Sequence, residues 1–181
     1  MRHALKIHPD SHCAATLRLE VLVARPQPRS LDIRYIVTGD VSALRMPPVA
    51  ASTRVDGLWQ HTCFEAFVRA SPRTEYFEFN FSPSLQWAAY RFGGYRSARS
   101  DADLIRAPQL EGRADSTSYE LKILLDLPQT SDLPSDVAWQ LGLSAVIEET
   151  SGDKSYWALA HPSAQPDFHH PDGFALELPA A

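Results

Sequence analysis

The sequence predicts an all-β protein, an antiparallel β-sandwich of the jelly-roll or immunoglobulin-like kind with about nine or ten strands. Short aromatic and aliphatic runs recur along the 181 residues, and turn residues separate them. Several runs alternate apolar and polar residues, which is the period of a half-buried strand. The 14 prolines and 8 glycines are scattered as turn residues, and no run has the spacing of an amphipathic helix.

The first third of the chain is predicted to hold three strands, at residues 5–7, 15–24 and 31–38. The first is short and weak and is expected at a sheet edge. The other two alternate apolar with polar residues, as strands with one buried face do. Residues 41–55 are expected to be irregular, because Pro47 and Pro48 fit neither a central strand nor a helix interior.

The middle of the chain predicts a three-stranded antiparallel meander at residues 62–68, 75–81 and 86–92. Aromatic and β-branched runs bounded by short Ser-Pro segments are typical of strands joined by hairpins. Residues 118–127, 138–148, 155–160 and 174–178 are further predicted strands, and residues 103–108 are a possible one. With no internal repeat and no linker, residues 1–181 are expected to form one domain.

The meander is predicted to have one apolar and one polar face, because successive side chains of a strand point to opposite sides. If its second loop has four residues, the apolar face consists of Phe64, Ala66, Val68, Phe77, Phe79, Phe81, Ala88 and Tyr90. The polar face then consists of Glu65, Tyr76, Glu78, Asn80, Trp87 and Arg91. In this register Glu65 lies directly opposite Glu78.

The opposed glutamates leave three interpretations open. Two facing carboxylates need a cation, a shared proton or a hydrogen-bonding ligand. Arg91 could neutralise them in a solvated salt network. Alternatively, the exposed Trp87 and Tyr76 beside them suit a ligand that is half apolar and half polar. The pair could also be the acid and base of a retaining glycosidase, although a flat face excludes little water.

The composition excludes several classes of protein. A net charge of −5 without a basic run argues against nucleic-acid binding. No stretch is long and apolar enough to cross a membrane, and the N-terminus lacks a signal core, so a cytoplasmic location is expected. The two cysteines, Cys13 and Cys63, form neither a disulfide framework nor a metal-binding pair. The oligomeric state is left open.

The C-terminal loop, residues 161–173, holds three histidines and two aspartates. Such a set could ligate a metal ion. However, His169 and His170 are adjacent and point apart in an extended chain. The better interpretation is a loop held rigid by its prolines that covers one end of the sandwich and borders a ligand pocket.

Three segments within residues 54–96 resemble a known superfamily: RVDGLWQHTCFEAFV, EYFEFNFSPS and QWAAYRFGGYR. Their order is similar to that in the DOMON-like and family-9 carbohydrate-binding-module superfamily. There a Trp precedes a strand with an acidic residue, and an aromatic–Glu/Gln–aromatic–Asn strand leads into a Ser-Pro turn. The closing segment PDFHHPDGFALEL resembles the end of bacterial DOMON-like proteins. The resemblance spans residues 31–178 and implies a non-catalytic β-sandwich that binds sugars or haem.

In the sugar-binding branch, the resemblance implies aromatic residues that clamp the sugar and polar residues that bond its hydroxyls. The matching positions are Trp59, Glu65, Glu78, Asn80, Trp87 and Arg91. Tyr76, Trp157 and His169 complete the predicted ligand-binding set, with Tyr156 and the rest of the 161–170 loop as further candidates. In the haem-binding branch, Met46 with His61 or His169 would hold the iron.

The prediction is therefore a non-enzymatic, cytoplasmic β-sandwich that binds a small polar ligand, a sugar, and that uses no cofactor and binds neither nucleic acid nor membrane. Two alternatives remain. One is a haem-binding electron-transfer module, and the other is a glycosidase-like enzyme that uses Glu65 and Glu78.

Overall fold

The computed structural model describes residues 1–104, 106–127 and 130–180. Within them the chain forms twelve strands in two sheets. Sheet A contains β1 Arg2–Ile7, β2 Thr16–Gln27, β3 Ser30–Gly39, β8 Gln109–Ala114 and β9 Ser118–Asp126. Sheet B contains β4 Cys63–Ala70, β5 Tyr76–Phe81, β6 Trp87–Phe92, β7 Ser100–Asp101, β10 Trp139–Glu148, β11 Lys154–Ala158 and β12 Leu176–Leu178.

Every strand pair is antiparallel, so the predicted all-β antiparallel sandwich is confirmed. Sheet A has the order β1-β2-β3-β9-β8, and sheet B has the order β7-β6-β5-β4-β10. On the other side of β10, strand β11 pairs with the second half of β10, and strand β12 pairs with the first half of β10. Strand β1 connects the sheets, because Arg2 to Leu5 pair with β2 whereas Lys6 and Ile7 pair with β11. It is therefore an interior strand and not the predicted edge.

The strand count exceeds the prediction because two polar edge strands carry no apolar alternation. Strand β8 is exposed at nearly every position, and both residues of β7 are exposed. The possible strand at residues 103–108 includes Ile105, which lies outside the described residues, and strand pairing begins only at Gln109. Three short 3-10 turns, Val41–Ala43, Leu58–Gln60 and Pro171–Gly173, complete the regular structure. No helix in the described part of the chain has the length and apolarity to cross a membrane.

The main core lies between the two sheets. Sheet A contributes the inward side chains of β2, β3 and β9, and sheet B contributes those of β4, β5 and β10. The ring of Phe64 lies 5.0 Å from that of Tyr35 and 6.1 Å from that of Tyr119. The buried Tyr35 hydroxyl donates a hydrogen bond to the backbone carbonyl of Glu65 at 2.6 Å. This bond joins the sheets directly behind the residue that bears the candidate site.

A second, smaller cluster packs on the other side of sheet B, which we call the outer face. It consists of Phe67, Tyr76, Ala88, Tyr90, Phe92 and Phe174, with Leu58 and Phe168 at its margin. Sheet B is therefore buried on both sides, and every residue of β5 is buried. The loop that precedes β12 covers part of the outer face.

The register of the meander differs from the predicted one. In the β4–β5 pair, Glu65 lies opposite Asn80 and Phe67 lies opposite Glu78. This is a shift of two residues, which keeps every side chain on its predicted face. The two glutamates are consequently diagonal neighbours and not directly opposed.

The β5–β6 register differs by one residue, which exchanges the two faces of β6. Trp87 lies opposite Phe81, because the connection is a tight three-residue loop and not a four-residue one. The N–H of Leu85 donates to the Ser82 carbonyl, and the N–H of Ser82 donates to the Gln86 carbonyl, both at 2.9 Å. With Leu85 at a φ of 70°, this is a turn followed by a left-handed residue, a common three-residue hairpin. Ala88 and Tyr90 therefore belong to the outer face and not to the predicted apolar face.

Candidate ligand-binding site

A cavity of about 410 Å³ lies on the outer face of sheet B. Its strand residues are Glu65, Glu78, Tyr90, Phe92, Val146, Lys154 and Tyr156. Its loop residues are Trp59, Gln60, Arg96, Arg99, Pro166, Phe168 and His169. A volume of this size is typical of a small-molecule site.

The walls of the cavity are largely aromatic. Trp59 is carried by the Leu58–Gln60 turn and remains 52% exposed. Gly57, which precedes this turn, has a φ of 78° that favours glycine. Tyr156 and Phe168 pack at 6.2 Å between ring centroids in another part of the wall. These rings provide apolar surfaces against which a bound ligand can pack.

The polar floor is formed by two buried glutamates. Glu65 is 4% exposed and Glu78 is 6% exposed. The Glu78 carboxylate accepts a hydrogen bond from Nδ2 of Asn80 at 2.8 Å. The Glu65 carboxyl makes no hydrogen bond within the described ranges, although Asn80 and Ser144 flank it on the neighbouring strands. A buried carboxyl that faces a cavity in this way is ready to bond a ligand hydroxyl.

Burial and the neighbouring Glu78 raise the pKa of Glu65 well above its usual range, and the positive Arg96 only partly opposes them. Burial also raises the pKa of Glu78, against the hydrogen bond from Asn80 and the positive charges of Arg99 and Arg96. Both shifts have the same direction, so the pair retains a proton at a higher pH than two solvated glutamates would. The floor can therefore both accept and donate hydrogen bonds.

His169 connects the covering loop to this floor. Its Nδ1 lies 2.7 Å from the Tyr76 hydroxyl, whose oxygen accepts the backbone N–H of Arg96 at 3.3 Å. Burial and the positive Arg96 lower the pKa of His169 to about 4, so the ring is neutral at pH 7. The Tyr76 hydroxyl thus donates to Nδ1, which leaves the ring proton on Nε2, 3.7 Å from Oε2 of Glu78.

Asp167 fixes the loop above the cavity. Its carboxylate accepts hydrogen bonds from the Tyr95 hydroxyl at 2.6 Å, from Nη2 of Arg96 at 2.8 Å and from the backbone N–H of His169 at 3.1 Å. Burial tends to raise the pKa of Asp167, but its Tyr95 and Arg96 hydrogen bonds outweigh this and lower it. The ionised Asp167 therefore holds Arg96 and His169 in their positions on the cavity wall.

Four of the predicted site residues line the cavity: Trp59, Glu65, Glu78 and His169. Two more, Tyr76 and Asn80, lie behind the lining and position His169 and Glu78 by hydrogen bonds.

Three predicted residues lie elsewhere. Trp87 and Arg91 are on the inward side of β6 because of the one-residue register difference. Trp87 packs against the main core, and Arg91 forms an ion pair with Asp132 at 2.5 Å. Trp157 also belongs to the main core, where its indole N–H bonds to Ser155, and its neighbour Tyr156 faces the cavity instead.

The prediction omitted seven lining residues of the cavity: Gln60, Tyr90, Phe92, Arg96, Arg99, Val146 and Lys154. A correct count of the Ser82–Gln86 hairpin would have placed the two aromatic residues on the outer face. No sequence pattern identifies the two arginines, because they follow β6 in an irregular loop where Arg96 has a φ of 49°.

Of the three residues named for haem, His169 lines the cavity, whereas Met46 and His61 do not. Met46 packs against the main core and does not line the cavity. His61 lies outside the lining too, and its Nδ1 donates to Oε2 of Glu148 at 2.7 Å. In the described part of the chain, no cluster of three or more His, Cys, Asp or Glu side chains could hold a metal ion.

No family model matches the sequence, and none of the curated proteins matches it. Solved structures do match. A candidate carbohydrate-binding protein from Bacteroides uniformis aligns over 95% of this chain and 83% of its own, with a TM-score of 0.65 and 15% identity.

Two structures of a family 9 carbohydrate-binding module from Caldicellulosiruptor kristjanssonii also align. The complex with cellotriose covers 88% of this chain and 72% of its own, with a TM-score of 0.53 and 11% identity. The complex with glucose covers 97% and 82%, with a TM-score of 0.52 and 10% identity. This chain shares its fold with these three structures. The predicted resemblance to family 9 carbohydrate-binding modules is thereby supported at the level of fold. The resemblance to DOMON-like proteins stays a prediction.

Proposed function

We propose that this chain is a non-catalytic carbohydrate-binding protein and that the sugar binds in the cavity on the outer face of sheet B. The observation that carries the proposal is the Glu65 carboxyl, which is buried, faces the cavity and has no hydrogen-bond partner among the described residues. Sugars combine apolar C–H faces with many hydroxyl groups. Aromatic walls above a floor of carboxyl groups suit both features.

The fold comparison supports the same proposal. The aligned family 9 modules are in complex with cellotriose and with glucose, and the Bacteroides uniformis protein is a candidate for carbohydrate binding. In this chain we assign stacking to Trp59 and Tyr156, and hydrogen bonding to Glu65, Glu78 and His169.

Trp59 tests the proposal directly, and Trp87 supplies a matched control on the opposite side of the sheet. Sugar binding is measured by isothermal titration calorimetry over a panel of mono- and disaccharides. Trp59→Ala should weaken binding about tenfold, because a stacking surface worth about 1.4 kcal/mol is lost. Its melting temperature should change little, since half of the side chain is already exposed.

The control, Trp87→Phe, should lower the melting temperature and leave the affinity unchanged, because Trp87 packs against the main core. Equal binding by wild type and Trp59→Ala would remove Trp59 from the site. Failure of the wild type to bind any sugar of the panel would contradict the proposed function.

A second candidate function, glycoside hydrolysis, is favoured by one observation. Glu65 and Glu78 line the same cavity, and burial raises the pKa of each, so one can hold a proton while the other is ionised. Turnover of chromogenic glycosides that Glu65→Gln and Glu78→Gln abolish would establish an enzyme. Sugar binding without turnover would leave the non-catalytic proposal in place.

A further inference from the structure

Beside the two glutamates of its floor, the cavity is lined by cationic side chains, which a neutral sugar does not need for binding. Three cationic side chains line it, Arg96, Arg99 and Lys154. Arg96 has an anionic partner, since its guanidinium bonds to Asp167 at 2.8 Å. The other two have no ion pair within the described ranges, although the chain as a whole carries a net charge of −5.

Arg99 packs on an aromatic ring and forms no ion pair within the described ranges, although its positive charge acts on the nearby Asp56 and Glu78 carboxyls. Its guanidinium lies over the ring of Tyr90, 4.0 Å from the centroid. The acid beside that ring is Asp56, which accepts the Tyr90 hydroxyl at 2.7 Å and pairs with Arg54 at 3.2 Å. Arg99 makes no hydrogen bond to any residue that the structure describes, so its N–H donors are available to a ligand.

Lys154 has an acidic neighbour whose oxygens are already engaged. Across the β10–β11 ladder it lies opposite Glu148. One oxygen of Glu148 accepts from Arg45 at 2.9 Å and the other from His61 at 2.7 Å. Burial by itself would raise the pKa of Glu148, but the hydrogen bonds from His61 and Arg45 outweigh it and lower the pKa. The acid is therefore committed to those partners, and the ammonium group of Lys154 remains free to meet an anion.

We propose that the sugar bound in this cavity carries an anionic group, a carboxylate or a phosphate, and that one of the two cations without an ion pair, Arg99 beside β6 or Lys154 on β11, binds that group. The proposal rests on the proposed function and names the class of sugar. The ring of the sugar occupies the aromatic walls and the Glu65–Glu78 floor. The anionic substituent points to one of these two cations, with which it forms charge-assisted hydrogen bonds.

The test compares neutral sugars with their acidic counterparts by calorimetry. The pairs are glucose with glucuronate and galactose with galacturonate, and glucose 6-phosphate and inorganic phosphate complete the set. At low ionic strength a uronate or the sugar phosphate should bind about tenfold more tightly than the neutral sugar. This advantage should shrink as salt is added, whereas the affinity of the neutral sugar should not change.

The double variant Arg99→Gln/Lys154→Gln should reduce the affinity for the acidic sugar to that for the neutral one. The matched control is Lys122→Gln, which removes a positive charge from β9 in sheet A. It should retain the preference for the acidic sugar.

The outcomes separate this inference from the proposed function. Binding of a neutral sugar as tight as that of every acidic one would overturn the inference and leave the function standing. Inorganic phosphate that binds as tightly as the sugar phosphate would also overturn it, because the site would then select an anion and not a sugar. If none of these compounds bound, both the inference and the proposed function would be contradicted.

Discussion

Glu65 concentrates the chemistry of this site in one side chain. Folding removes its carboxyl from water, and no hydrogen bond within the described residues compensates it. Its backbone, by contrast, is fixed from the other side of the sheet by the Tyr35 hydroxyl. A group that loses its hydration without gaining a partner costs stability, and function is the usual reason for retaining it.

The stability of the protein should therefore depend on pH through Glu65. An unfolded glutamate ionises above a pH of about 4.3. Burial and Glu78 raise the pKa of Glu65 in the folded protein, so above that pH the folded state binds more protons than the unfolded state. The contribution of Glu65 to the free energy of unfolding is then intact at low pH and falls as the pH rises.

Urea denaturation from about pH 5 to about pH 8 measures this decline. Glu65→Gln should lessen it and should be more stable than the wild type at the upper end of the range. Glu111→Gln is the control, because Glu111 is exposed on the edge strand β8. Identical pH profiles for the wild type and Glu65→Gln would mean that Glu65 is ionised in the folded protein.

Among the elements, the hairpin between β5 and β6 decides which side chains reach the site. Its three-residue turn directs Trp87 and Arg91 to the core and Tyr90 and Phe92 to the cavity. The loop between β11 and β12 decides how the cavity is covered, and Asp167 is its anchor to Tyr95 and Arg96.

Asp167→Ala should loosen this loop without disturbing the sheets. The variant removes hydrogen bonds to a charged group that are worth roughly 1.5–3 kcal/mol each. Amide exchange in residues 161–175 should accelerate about tenfold or more, and sugar affinity should fall because Arg96 and His169 lose their support.

Exchange in β3 and β9 of sheet A should stay unchanged in this variant. Asp172→Ala is the control, since the Asp172 side chain lies in the same loop and is 81% exposed. Acceleration of the whole molecule would show that Asp167 supports the fold and not the loop alone.

At the scale of the whole molecule, the two sheets meet around Phe64 with a tyrosine on each side. The Tyr35 hydroxyl bonds across the interface to sheet B. The buried Tyr119 hydroxyl has no hydrogen-bond partner within the described ranges. The hydroxyl of one tyrosine is thus hydrogen-bonded, whereas that of the other is not.

Tyr35→Phe should lower the free energy of unfolding by about 1 kcal/mol, because it removes a buried hydrogen bond between the sheets. Tyr119→Phe should be neutral or slightly stabilising, since its hydroxyl is buried without compensation. Urea denaturation of the two variants measures the difference. Equal losses would show that the hydrogen bond of the Tyr35 hydroxyl makes no net contribution to stability.

The sequence by itself determined the all-β class, the antiparallel sandwich and most of the strands. Period-two alternation is a local property of the chain, and Ser, Pro and Gly end the strands at identifiable positions. It also placed the polar side chains of β4 and β5 on the face where the cavity lies. Strand alternation puts Glu65, Glu78 and Asn80 on one face, and a register shift of two residues does not change that.

Only the tertiary structure decided which face of β6 meets the cavity. A difference of one residue in the turn exchanges the two faces of β6. Both faces carry aromatic residues, so apolar–polar alternation does not reveal which face points to the cavity. The choice between Tyr156 and Trp157 was decided in the same way, since two adjacent aromatic residues satisfy either face equally well. The cavity itself also depends on tertiary structure, because the Trp59 turn, the arginines after β6 and the Asp167 loop are distant in sequence. They come together only when sheet B has formed beneath them.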